Sequence, residues 1–117
     1  MNELSFIESK GILKKAERLV SAVFIVSDLI RDEEPIKDKI KILSIQLISL
    51  SIRFSRQDTF TTKTGFELEI CVSELISLLN ISAFSGFITE MNASILKSEF
   101  KSFLKNLSSI NQNSGFK

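Results

Sequence analysis

At 117 residues, with 44% hydrophobic and 25% charged residues, the chain has the size and composition of one globular domain, which excludes intrinsic disorder. Its net charge of +1 excludes a strong overall attraction to nucleic acid or to acidic membranes. The chain has no histidine and a single cysteine, which excludes a Ser-His or Cys-His nucleophile and a disulfide within one chain.

The beginning of the chain has no features of a signal peptide. Residues 1–10 are of mixed charge, and we expect them to form a loose leader rather than a targeting segment. The longest uncharged run, Leu75–Thr89, is too short to span a membrane. Together with the single cysteine, these features predict a cytoplasmic protein with no membrane contact.

The first helix is predicted over about residues 11–31. Six apolar residues lie alternately four and three positions apart, which is typical of a helix packed lengthwise on others. These seam residues are Ile12, Ala16, Leu19, Val23, Val26 and Ile30. The link that follows, Arg31–Glu34, is short, so we expect the second helix to run back antiparallel to the first.

The second helix, over about residues 35–55, repeats this spacing. Its seam is Ile36, Ile40, Leu43, Leu47, Leu50 and Phe54. The acidic Asp32–Glu34 and the proline that follows favour a helix start here, because negative charge suits the helix N-terminus and proline suits the first turn. A second stripe of Ile45, Ile48 and Ile52 indicates either a helix surrounded by neighbours or a subunit interface. Isoleucine also permits a strand, but the spacing favours a helix.

The third and fourth helices are predicted over about residues 66–85 and 90–108. The polar, threonine-rich residues 55–65 predict a loop, long enough for a crossover as well as for a direct return. Gly86 is a suitable end for the third helix, and residues 109–117 form a polar tail. The seams are Leu68, Val72, Leu75, Leu79 and Ser82 in the third helix and Ala93, Leu96, Phe100, Phe103, Leu107 and Ile110 in the fourth. Four matching seams predict an all-α fold, an antiparallel up-down four-helix bundle formed by one domain over the whole chain.

Basic residues recur along single helix faces. Lys97, Lys101 and Lys105 are four residues apart, and so are Lys37 and Lys41. Such rows either bind phosphates or form a solvated face opposite the core. The acidic third helix competes for the same bases, within the bundle or between subunits.

Glu67, Glu69 and Glu74 lie off the seam of the third helix. Di-iron bundles require inward carboxylates and a Glu-x-x-His pattern, which a chain without histidine cannot supply. Cys71 lies among apolar neighbours, so we interpret it as a small buried hydrophobic residue rather than a reactive thiol. The sequence therefore predicts no catalytic residue, no cofactor and no metal site.

The order of these features is similar to one group of small bacterial four-helix-bundle proteins. The resemblance begins at Ala16–Phe24 and continues with the helix end before Pro35 and the long apolar second helix. It extends to Leu75–Phe84 followed by Phe87–Glu90, and it covers about residues 12–110. The group contains the proteins encoded in 23S ribosomal RNA intervening sequences and the accessory variability proteins of diversity-generating retroelements.

This resemblance implies a pentameric, non-catalytic barrel of bundles that assists a reverse transcriptase by binding it and its RNA or DNA. The bases it implies as nucleic-acid contacts are Lys14, Lys15, Arg18, Lys37, Lys41, Lys97, Lys101 and Lys105. The nearly neutral charge favours an alternative, a homo-oligomeric protein–protein interaction module with no role on nucleic acid. A third hypothesis is an enzyme with a ligand site inside the bundle. The polar side chains near the seams that could form such a site are only serines, Gln46 and Asn80.

Overall fold

The computed structural model describes residues 3–56 and 62–113, and it places side chains over residues 11–56 and 63–110. Within these ranges the helices are α1 (Glu3–Ser27), α2 (Pro35–Arg56), α3 (Thr62–Phe84) and α4 (Glu90–Asn113). Each helix packs on the one that follows it, and α4 packs on α1, so the four occupy the corners of a square. The fold is the all-α four-helix bundle that the seams predict.

The core lies where the four seams meet. Leu47 of α2, Val72 of α3 and Phe100 of α4 are completely buried, as is Val23 of α1. Full burial of one such side chain stabilises the fold by about 1.5–3 kcal/mol. Of the predicted seam residues, Val26 and Ile36 are only half-buried, although both pack against the core.

The connection between α1 and α2 is longer than predicted, because α1 ends at Ser27 and not near residue 31. The N–H of Ile30 donates to the carbonyl of Ser27 at 3.0 Å, a three-residue spacing that is common where an α-helix tightens and ends. Pro35 is the first residue of α2, as the sequence predicts.

The predicted leader over residues 1–10 is wrong from Glu3 onward, where α1 begins. Many helices end at a glycine in the left-handed conformation, but Gly11 does not have a positive φ. The chain therefore continues as a helix through Gly11 at only the usual cost of glycine in a helix.

Two more predicted boundaries are wrong. α3 begins at Thr62 and not near residue 66, and Thr64 is buried, so packing overrides the weak helix propensity of threonine. α4 continues to Asn113 and not to 108, because Ile110 is still buried in the core. The conformations predicted for residues 57–61 and for the end of the tail, residues 114–117, lie outside the described residues.

The turn between α3 and α4 follows the prediction closely. Gly86 has a φ of 81°, and the N–H of Phe87 donates to the carbonyl of Ser82 at 2.8 Å. This is the Schellman arrangement, in which glycine takes the left-handed position after the helix. Thr89 is the N-cap of α4, because its Oγ1 accepts a hydrogen bond from the N–H of Asn92 at 3.0 Å.

Alanine substitutions at two glycines should have opposite effects on stability. An added Cβ would meet no atom within 4 Å at either Gly11 or Gly86, so only the backbone conformation matters. Gly86→Ala should lower the free energy of unfolding by about 1–2 kcal/mol, because an L-residue is strained at positive φ. Gly11→Ala should raise it by about 0.5–1 kcal/mol, because alanine is favoured within a helix. Urea unfolding followed by circular dichroism measures both, and changes of the same sign would contradict this account of the two positions.

Candidate functional site

The surface of the bundle is rich in apolar side chains. Single exposed apolar residues are normal, so their arrangement is more informative than their number. Over the described residues, the exposed large hydrophobic side chains are Ile25, Leu29, Ile42, Ile45, Ile52, Phe66, Ile70, Ile81, Phe84, Met91 and Ile95. Most of them belong to α2 and α3, on the sides of these helices that face away from the core.

Ile42, Ile45, Ser49 and Ile52 form one side of α2, named here the α2 outer face. They are three or four residues apart, so they share one side of the helix. Ile42 and Ile45 are 59% and 57% exposed, and Ile52 is 39% exposed. Each residue of this face comes two positions after a residue of the buried seam, which places the face about 200° around the helix from the seam. α2 is therefore apolar on two opposite sides.

The predicted stripe of Ile45, Ile48 and Ile52 is therefore divided by the fold. Ile45 and Ile52 are exposed, whereas Ile48 is half-buried and packs against the core. Ile42 and Ser49 complete the exposed face, and the sequence interpretation missed both. The sequence signal that could have revealed them is a second row with the same alternation of three and four residues as the seam, displaced by two positions.

The outward side of α3 carries a second row of apolar and small residues, named here the α3 outer face. Its members are Phe66, Ile70, Ser73, Ser77, Ile81 and Phe84. Phe84 is 93% exposed, and the two serines leave a shallow centre between Ile70 and Ile81. Glu67 and Glu74 lie beside this row, which the sequence interpretation also missed.

An open groove separates α2 from α3. Leu43, Ile70 and Leu78 give it an apolar lining, and Lys39 and Glu74 also line it. Over the described residues, no group of three or more cysteine, aspartate or glutamate side chains is placed to hold a metal ion.

Two of the predicted phosphate-binding bases are paired with carboxylates where α1 leads into α2. Lys37 Nζ contacts Asp32 at 2.6 Å and donates to the carbonyl of Ile30 at 2.9 Å. Lys41 Nζ contacts Asp28 at 2.9 Å. The hydrogen bonds from these lysines lower the pKa of Asp32 and of Asp28, and the bond to Asp32 raises the pKa of Lys37.

The other predicted bases lie on α1 and α4. Lys97 Nζ donates to Oδ1 of Asn80 on α3 at 2.5 Å. The remaining five are exposed, and none makes an ion pair with a side chain of residues 11–56 or 63–110; they are Lys14, Lys15, Arg18, Lys101 and Lys105. Lys15 and Arg18 share a groove with Ser102 of α4, so the α1 bases and the C-terminal half of α4 lie in the same half of the bundle.

Cys71 is buried, as predicted, with 2% of its surface exposed. Its Sγ lies 3.4 Å from the carbonyl oxygen of Leu43 on α2. Burial, with a smaller contribution from the charge of Glu74, raises the pKa of the thiol to about 11. The group is therefore a neutral thiol near pH 7, inaccessible to solvent, which favours packing over nucleophilic chemistry.

The fold and these surfaces define a small helical bundle with two outward apolar faces and separate charged regions. Comparison with known proteins finds no relative: no family model, no curated protein and no solved structure matches the chain. None of the described helices is long and apolar enough to cross a membrane.

The lysine–aspartate pairs predict a specific response to acid. Because Asp28 and Asp32 have lowered pKa values in the folded protein, their stabilising effect is complete above their ordinary pKa of 3.8. The effect disappears as the pH falls through the lowered values. When the pH is lowered from 5 to 2, the variant Lys37→Gln/Lys41→Gln should therefore lose less of its free energy of unfolding than the wild type. Urea unfolding of both proteins at pH 5 and at pH 2 measures this difference.

The matched control is Lys39→Gln/Lys101→Gln, which removes two bases that make no ion pair with a side chain of residues 11–56 or 63–110. It should keep the wild-type acid dependence. Equal acid dependence of the wild type and of the Lys37/Lys41 variant would contradict the contribution of these pairs.

Proposed function

We propose that the protein is a non-catalytic interaction module that self-associates and, as an oligomer, binds a protein partner. By the resemblance noted in the sequence, that partner is a retroelement reverse transcriptase. The absence of histidine from the chain and the burial of Cys71 support a role without nucleophilic or acid–base chemistry.

The observation that carries the proposal is the α2 outer face. A helix with apolar residues on two opposite sides has neighbours on both sides in most proteins, because exposed apolar surface favours association. In the bundle, α1 and α3 cover the buried seam of α2, but Ile42 and Ile45 remain more than half exposed. A second copy of the chain would remove them from water.

Charge supports a second copy as the occupant. Outside the lysine–aspartate pairs, α2 carries three exposed bases, Lys39, Arg53 and Arg56, and one acid, Asp38. α3 carries three acidic residues and one basic residue. Opposite charges on neighbouring exposed faces give one chain both halves of a complementary contact.

Light scattering tests self-association directly. The wild-type protein should have a molar mass that is a multiple of 13.2 kDa and falls on dilution, because the assembly depends on concentration. Ile45→Asp/Ile52→Asp should be a monomer, since charges replace the apolar contact. A wild-type protein that is monomeric at every concentration would contradict the proposal.

A second candidate function is binding of RNA or DNA, favoured by the exposed bases of α1 and α4. Lysines four residues apart on a helix contact phosphates as point charges. Lys101 and Lys105 have this spacing and are exposed, whereas Lys37 and Lys41 are paired with carboxylates. The candidate nucleic-acid surface is therefore reduced to α1 and α4.

Salt dependence of binding to a labelled single-stranded RNA tests this candidate. Lys101→Gln/Lys105→Gln should reduce the slope of log affinity against log salt by about 0.7 for each phosphate that the variant no longer neutralises. The control Lys39→Gln/Lys63→Gln removes two exposed bases elsewhere and should keep the wild-type slope. No binding by the wild type at low salt, or equal slopes for the two variants, would eliminate the candidate.

A further inference from the structure

We propose that self-association is head to tail, with the α2 outer face of one copy packed antiparallel on the α3 outer face of the next copy. This inference rests on the proposed self-association and assigns its two surfaces. It follows from the position of the two faces in the bundle, from their charges and from the sizes of their side chains.

The position of the two faces favours a contact between different surfaces. α2 and α3 occupy neighbouring corners of the bundle, so their outward sides point in directions about a quarter turn apart. When the α2 outer face of one copy binds the α3 outer face of the next, each added copy can repeat the same contact. The chain of copies closes into a ring when the rotation between neighbouring copies divides a full turn. When copies are related by rotation about an axis parallel to the bundle, α2 and the next α3 remain antiparallel.

The charges disfavour contacts between identical faces. An α3–α3 contact would bring Glu67 and Glu74 of two copies together, and over the described residues neither side chain has an ion-pair partner that would offset the repulsion. An α2–α2 contact would bring together Lys39 and Arg53 of two copies, which are also exposed. The α2–α3 contact avoids both repulsions, because it sets a helix with a basic excess against a helix with an acidic excess.

The side chains of the two faces also match in size. Within one chain, the contact between Cys71 and Leu43 shows which residues of α2 and α3 lie at the same height. A closed ring has no shift along its axis, so residues at equal height meet, to within about one residue or 1.5 Å. The resulting pairs are Ile42 with Ser73, Ile45 with Ile70, and Ser49 with Phe66.

In two of these pairs a large side chain meets a serine. Ser73 leaves room for Ile42, and Ser49 leaves room for Phe66, so the helices can approach closely with both side chains buried. Such alternation of large and small residues across facing positions fills the space between packed helices. Ile45 and Ile70, which are 57% and 53% exposed, form the apolar centre of the contact.

The decisive experiment blocks one face at a time and then mixes the variants. Ile45→Asp disrupts the α2 outer face and leaves the α3 outer face intact, and Ile70→Asp does the reverse. Both residues are exposed, so circular dichroism should report wild-type helix content for each variant. Each variant alone should have the mass of a monomer by light scattering, because each lacks one half of the head-to-tail contact.

An equimolar mixture of the two variants should form a heterodimer of twice 13.2 kDa and nothing larger. In it, the intact α2 face of the Ile70 variant binds the intact α3 face of the Ile45 variant, and both ends are blocked. The wild-type ring is stabilised further by its closure, which a heterodimer with one contact lacks. The mixture is therefore measured at about ten times the concentration at which the wild type assembles. The control Ile25→Asp changes an equally apolar exposed residue of α1 and should keep the wild-type mass.

The outcomes separate the inference from the proposed function. Wild-type mass for Ile70→Asp alone, or failure of the Ile25→Asp control to assemble, would overturn the head-to-tail assignment while leaving self-association intact. Absence of a heterodimer from the mixture, with an oligomeric wild type, would do the same. A monomeric wild type would overturn both proposals.

Discussion

Burial of the α2 seam is the interaction on which the rest of the bundle depends. α2 packs on α1 and on α3, and Leu47 at its centre is completely buried. The opposite side of α2 is also apolar, so hydrophobicity favours burial of the seam only because the seam side chains are larger. Polar contacts outside the core add to this preference, because Lys37 and Lys41 contact Asp32 and Asp28 when the seam faces inward. Exposed ion pairs contribute little, so the orientation of α2 depends mainly on its apolar contacts.

The surface is divided between two kinds of chemistry. The side formed by α2 and α3 combines apolar rows with opposite charges, which suits contacts between proteins. The side formed by α1 and α4 carries exposed bases such as Arg18 and Lys105, which pair with no carboxylate among the placed side chains and suit phosphates. Because the two sides lie on different helix pairs, an oligomer built on one side would leave the other in solvent. The nearly neutral total charge hides this division, since the acids of α3 compensate the bases elsewhere.

The sequence predicts the fold well because each seam repeats along a whole helix, and a repeated pattern survives errors at single positions. Helix ends are predicted less well, since they depend on tertiary contacts: Thr64 and Ile110 are buried, and each extends a helix beyond its predicted end. The turn at Gly86 is an exception, because its residues specify the conformation locally. The α3 outer face was missed and the α2 outer face was predicted only in part, because apolar spacing reports which residues share a side of a helix but not which side is covered. Ile48 illustrates the limit, because it lies in the same stripe as Ile45 yet packs inward.

The two-sided character of α2 also bears on how the chain finds its native state. Rotating α2 by about half a turn would exchange its seam for its outer face and produce a second compact arrangement with a partly apolar core. The native arrangement is favoured because the seam is larger: it carries Phe54 and three leucines, whereas the outer face has Ser49 at its middle. That serine therefore increases the energy difference between the arrangement with the seam inward and the arrangement with the outer face inward. A large difference of this kind is typical of minimally frustrated sequences. The residue that makes room on the surface also keeps the folding landscape of the bundle from having two minima of similar depth.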